Sequence, residues 1–119
     1  MLRLWRATIN TRNGLAFAIR SEQAVREELV VLLVSLPVAW VVGASLMRRI
    51  ELVAAVAMVL IVELLNTAIE KLADRLTTDH DLQIGRVKDM GSAAVGVVLV
   101  MAGLFWLFAL AERIGALWA

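Results

Sequence analysis

Nineteen consecutive residues, Leu29 to Met47, carry no charge, and two further runs, Leu52 to Ile69 and Ala93 to Ala111, are almost as apolar or equally so. A helix rises about 1.5 Å per residue, so each run is long enough to cross a hydrocarbon layer of roughly 30 Å. No alternation of period two runs through these segments, which argues against strands. The apolar fraction is 61%, against roughly 45–50% in soluble domains, and mean hydropathy is +0.83. A soluble chain of 119 residues could not bury so much apolar surface, because small domains hide only part of what they carry. The expectation is an all-α membrane protein of one domain, residues 1–119, with spans at about 29–47, 52–70 and 93–111. Pro37 should kink the first span mildly, which membrane helices tolerate.

Residues 1–28 are different in kind. Arg3, Arg6, Asn10 and Asn13 recur on one side at helical spacing, and Leu2, Trp5 and Ile9 on another. That pattern predicts an amphipathic surface helix, broken at Gly14 and followed by a second helical piece from Leu15 to Glu28. The first apolar run is too long for a cleavable signal. The N-terminal segment holds five Lys/Arg and the stretch 71–92, read as a loop, holds four. Only Arg48, Arg49 and Arg113 lie elsewhere. This bias predicts a cytoplasmic N-terminus and loop and a periplasmic C-terminus. Trp5, Trp40, Trp106 and Trp118 fit interfacial belts. A net charge of +1 gives no reason to expect nucleic-acid binding, and the absence of cysteine excludes disulfides and thiolate metal sites. Ser92 and Gly96 lie one turn apart in the third span, with Gly103 beyond, a small-residue contact that lets helices approach. Three thin helices barely enclose a polar site, so a homo-oligomer is expected.

The second span contains Glu63, Asn66 and Glu70. An ionisable group at membrane depth costs roughly 2.5–3.5 kcal/mol on insertion scales. The spacing i, i+3, i+7 puts all three on one helix face. Glu63 and Glu70 are about 10 Å apart along a straight axis, too far to chelate one ion together. Two tasks at two depths fit better: a desolvated base deeper in, and a metal ligand nearer the cytoplasm. The plainer alternative is an interhelical hydrogen-bond network that fixes packing. Glu22 and Glu28 flank the approach to the first span, where Glu22 and Arg26 have the spacing of an ordinary helix pair. Gly85-Arg86-Val87-Lys88-Asp89-Met90-Gly91-Ser92 leads into the third span. Lys88 could meet a phosphate at a helix N-terminus and Asp89 could hold it, or the segment could be a solvated basic loop. His80, the only histidine, is assigned nothing. No GxxxxGK[ST], HExxH or GxSxG occurs.

The run Glu63-Leu64-Leu65-Asn66-Thr67-Ala68-Ile69-Glu70, with Asp74-Arg75 and with Gly85 through Ala94, resembles the prokaryotic diacylglycerol kinases. The likeness covers nearly the whole chain. It implies a homotrimer in the bacterial inner membrane that transfers the γ-phosphate of ATP to the primary hydroxyl of diacylglycerol, giving phosphatidic acid, with Mg2+ as cofactor. By that resemblance Glu63 is the base, with Asn66 beside it, and Glu22 and Glu70 are metal ligands. Arg3, Asn10, Glu22, Glu70, Lys88 and Asp89 take the nucleotide. Glu28, Glu63, Ser92 and Trp106 face the lipid. The pattern departs at Asn10, where the family has a tyrosine, at Ala16, where it has an arginine, and at His80 and Asp81.

Other readings compete. An undecaprenol kinase shares this architecture. A small proton or ion carrier would use Glu63 as a relay but leave Lys88 and Asp89 idle. A structural assembly partner would explain Ser92 and Gly96 but not the carboxylates.

Overall fold

The computed structural model describes residues 1–118, which form four helices and no strand. They are α1 (Leu2–Ser21), α2 (Gln23–Val42), α3 (Leu46–Leu76) and α4 (Leu82–Trp118).

Helix α1 does not break at Gly14. An interior glycine costs only about 1 kcal/mol relative to alanine, and no residue here needs a positive φ. The break comes at Glu22, a single extended residue (φ −125°, ψ 117°) between α1 and α2. Arg26 explains why the chain can stop there. Its Nη1 donates to the carbonyls of Ile19 (2.8 Å) and Arg20 (3.2 Å) at the end of α1, acceptors that a helix terminus otherwise leaves without partners. Arg26 therefore caps α1 and does not form the expected ion pair with Glu22.

The first apolar run is also shorter as a helix than the sequence suggests. Helix α2 runs through Pro37 and ends at Val42, and Gly43 is extended. The turn is tight: a Cβ on Gly43 would lie 2.5 Å from Arg49 Cγ and 2.9 Å from the Ala39 carbonyl. Ser45 then caps α3 by accepting from the Arg48 N–H at 3.1 Å. Leu29 to Val42 is about 21 Å of helix at 1.5 Å per residue. Two helices, α3 and α4, are long and apolar enough to cross a membrane.

Residues 71–92, expected as a loop, are mostly helical. Helix α3 continues to Leu76 and α4 begins at Leu82, leaving a short connection. Asp81 starts α4 by accepting from the Ile84 N–H at 3.0 Å, a preferred N-cap arrangement. Polar residues continue both helices beyond the apolar runs.

Helix α3 is the centre of the bundle, packed against α2 on one side and α4 on the other. Ala18, Val25 and Leu60 join α1, α2 and α3 near one end, and Ala39, Leu52 and Ala109 join α2, α3 and α4 near the other. In α4 only Gly91, Val98 and Ala109 are buried. Leu99, Val100, Leu104, Phe105, Leu107 and Phe108 are all exposed. A soluble core helix would be covered, and a continuous apolar surface of this extent in water would associate. The chain is a membrane protein.

Helices α3 and α4 approach closely at Gly91. A Cβ there would collide with the Asn66 side chain, whereas Gly96 and Gly103 have open space around them. Within one chain the small-residue contact is thus Gly91 against Asn66, not Ser92 and Gly96. At the opposite end, Arg48 grips both oxygens of Glu112 (3.1 Å each) and Glu51 (2.6 Å), and lies over Phe108. Arg49 donates to the Gly43 carbonyl at 3.2 Å and stacks on Trp40, 3.9 Å from the ring centroid.

Candidate functional site

The polar residues of α3 follow its helical period. Glu63, Asn66, Glu70 and Asp74 recur at three- and four-residue steps and so form one stripe. Asn66 and Thr67 are buried, each 8% exposed, Glu63 is half-buried, and Glu70 is exposed. The amide of Asn66 donates to Glu70 at 3.3 Å. Its own oxygen is buried without a donor, pressed into the space that Gly91 leaves open.

The helix junctions bring further carboxylates to this stripe. Glu22, at the α1–α2 break, acts electrostatically on Glu63, as does Glu70. Glu28, one turn into α2, couples to Glu63 and Glu27. Burial first, then these two neighbours, push the Glu28 carboxyl above its ordinary range. Residues far apart in sequence therefore come within electrostatic reach of one another at one end of the bundle. Among the described residues, the cation within ion-pair distance of this group is Lys71, 2.7 Å from Glu22.

Lys88 differs from its expected setting. It lies inside α4, past the free N–H groups of the helix start, so the helix terminus supplies no anion site around it. Its ammonium pairs with Asp74 of α3 at 2.5 Å, not with Asp89, which is exposed and makes no side-chain hydrogen bond or ion pair. Sequence reasoning passed over Asp74 and Lys71 as site residues. Asp74 had a signal, since it stands four residues beyond Glu70 on the same stripe. Lys71 had none, because its partner lies across a helix junction. Arg3 and Asn10 lie on the exposed first half of α1 and contact none of the carboxylates through hydrogen bonds or ion pairs.

Two of the residues expected to face the lipid share a groove. Glu28 and Trp106 line a channel of about 470 Å³ between α2, α3 and α4, walled by Val31, Val34, Val59 and Leu99. Its surface is almost wholly apolar apart from Glu28, Ser35 and the Trp106 Nε1, which is buried without an acceptor. Ser92 is exposed elsewhere on α4, outside this groove.

The sequence profile described as prokaryotic diacylglycerol kinase matches residues 10–110, a stretch holding this whole constellation except Arg3. The chain belongs to the prokaryotic diacylglycerol kinase family. Its similarity to individual members runs through most of both chains. It is 37% identical over 102 residues to the diacylglycerol kinase of Escherichia coli strain K12, covering 86% of this chain and 84% of that one. It is 36% identical over 104 residues to that of Pseudomonas aeruginosa, covering 87% and 85%. With the diacylglycerol kinase of Haemophilus influenzae it shares 34% identity over 93 residues, 78% and 79% of the two chains. As a member of this family the chain is a kinase, an enzyme of lipid metabolism.

Proposed function

We propose that this kinase transfers the γ-phosphoryl group of ATP to the primary hydroxyl of diacylglycerol, releasing ADP and phosphatidic acid. The observation that carries the reading is the convergence of Glu22, Glu63 and Glu70 at one end of the bundle, with Glu28 of the same cluster lining an apolar groove. Family membership supports the lipid alcohol, since the relatives are named diacylglycerol kinases.

Glu63 sits half-buried on α3 and would accept the hydroxyl proton as the oxygen attacks phosphorus. Asn66, locked between Glu70 and Gly91, would orient that carboxylate and its neighbours. Phosphoryl transfer is mostly positioning and charge neutralisation, so a rigid stripe on one helix suits it. Lys88 would trade Asp74 for a phosphate oxygen, and Arg3 and Asn10 on α1 would close over the nucleotide. The groove between α2, α3 and α4 would hold an acyl chain, with the hydroxyl at the Glu28 end.

Glu22 and Glu70 fit a magnesium ion by chemistry. Among the described residues no three carboxylate or histidine side chains gather as a self-sufficient metal site. Magnesium commonly takes one or two carboxylates and completes its shell with water and substrate phosphates. Glu22 and Glu70 would hold the ion, which would supply positive charge to offset that of the ATP phosphates.

The nine cations of residues 1–28 and 71–92 favour placing the carboxylate end in the cytoplasm and the C-terminus in the periplasm. Three thin helices barely enclose a polar site, which favours assembly of copies, as a homotrimer in keeping with the family resemblance.

The test supplies purified protein in mixed micelles with labelled ATP, magnesium and either diacylglycerol or undecaprenol. Label in diacylglycerol, lost in Glu63→Gln, is the expected result. Label confined to undecaprenol moves the substrate to the longer alcohol, and label in neither overturns the reading.

A further inference from the structure

Lys71 has no place in the mechanism above, yet it holds one of its carboxylates. Its ammonium lies 2.7 Å from Glu22 Oε1 and 5.2 Å from the centre of the Phe17 ring. Glu22 is on the break between α1 and α2, Phe17 is on α1 and Lys71 is on α3. The three thus tie the surface helix to the central helix through side chains alone. Lys71 also forms the polar rim of an apolar cleft of about 470 Å³ that Phe17, Leu64 and Thr67 help to line.

Its neighbours leave Lys71 little else to do. Asp74, one turn further along α3, is already held by Lys88. Glu70 accepts from Asn66. Arg26, at the same junction, is engaged by the Ile19 and Arg20 carbonyls, so among the described residues Lys71 is the ion-pair partner of Glu22. Both partners are open to solvent, Glu22 at 30% and Lys71 at 45% exposure, so an ion arriving from water can reach the pair. Exposed ion pairs are weak, and a divalent cation outcompetes an ammonium for a hard carboxylate oxygen. Phe17 gives the ammonium somewhere to remain once Glu22 is taken, because an aromatic face attracts a cation.

We infer that Lys71 is a placeholder cation: it occupies Glu22 until a divalent metal displaces it, and thereby sets how readily the site takes metal. The inference rests on Glu22 being a metal ligand, as proposed above. Lys71 is a positioning residue here, since it acts through Glu22.

The test titrates Mn2+, a spectroscopic stand-in for the divalent ion, into the full chain in detergent micelles without nucleotide or lipid alcohol, reading free Mn2+ by electron paramagnetic resonance. Lys71→Met and Lys71→Gln should tighten binding by up to about fivefold, the scale of an exposed ion pair. Lys71→Arg, which keeps the pair, should bind as the native protein does. In a Glu22→Gln background, Lys71→Met should give no tightening, a coupling that mere loss of a nearby positive charge would not produce. Tightening that persists there, or unchanged affinity in both Lys71→Met and Lys71→Gln, overturns the inference alone. Native binding indifferent to Glu22→Gln overturns the metal assignment and the inference with it. Circular dichroism on each variant checks that the helices are intact.

Discussion

The two ends of the bundle spend their charged residues in opposite ways. At the turn between α2 and α3, Arg48 meets Glu51 and Glu112 together, and Arg49 is engaged by Gly43 and Trp40. At the other end, Glu22, Glu28, Glu63 and Glu70 lie within electrostatic reach of one another, Lys71 pairs with Glu22 alone, and the Asn66 oxygen is buried without a partner. Matched charges hold helices in place. Unmatched ones cost stability, and a membrane protein keeps them where something else will bind.

The sharpest way to break this contrast is Glu63→Gln. Removing a general base should lower phosphoryl transfer by roughly 10²–10⁴-fold, measured as labelled lipid formed per unit time, with helicity unchanged. A variant retaining full activity would place Glu63 among the structural charges. Gly91→Ala should follow. Its new methyl meets the Asn66 side chain, and a displacement of about 1 Å at a reacting centre can cost on the order of 10²-fold in rate. Gly96→Ala has free space within the chain. It should leave the helical fold intact and act, if at all, on the assembly state seen by crosslinking.

Arg48→Met probes the opposite end. It leaves Glu51 and Glu112 facing each other without their cation, so the thermal midpoint should fall by several degrees while the specific activity of folded protein stays close to native. A large loss of activity without loss of stability would erase the distinction between the ends. The smallest effect concerns Glu28, whose carboxyl is raised from 4.5 by burial and by Glu63. Its contribution is most favourable below that ordinary value and is lost as pH rises through the raised native one. Glu28→Gln should therefore raise the thermal midpoint slightly at neutral pH, with no difference near pH 4.

The stripe of Glu63, Asn66 and Glu70 was legible in the sequence because it depends only on helical period. What was not legible depended on partners distant in the chain. Gly14 looked like the break, but the break fell at Glu22 because Arg26 could reach back to cap α1. The segment 71–92 looked like a loop because hydropathy registers where lipid ends, not where hydrogen bonding ends. Lys88 looked like a partner for Asp89, its neighbour in sequence, when α4 points it at Asp74 across the helix pair. Arg48 and Arg49, which lie outside the two basic segments, form the clamp at the far end. Glu51 three residues on was a visible partner for Arg48, but Glu112 was not.

Helix α3 is 31 residues long, about 46 Å at 1.5 Å per residue, well beyond a hydrocarbon thickness of roughly 30 Å. It works as a fixed ruler standing across the boundary between oil and water, with Glu63 and Glu70 engraved on it one heptad apart. On the proposed reaction, a lipid hydroxyl and a water-borne phosphate would meet between those two marks. Bilayer thickness would then be a variable of the reaction, since a thicker leaflet would submerge the upper mark and a thinner one would wet the lower.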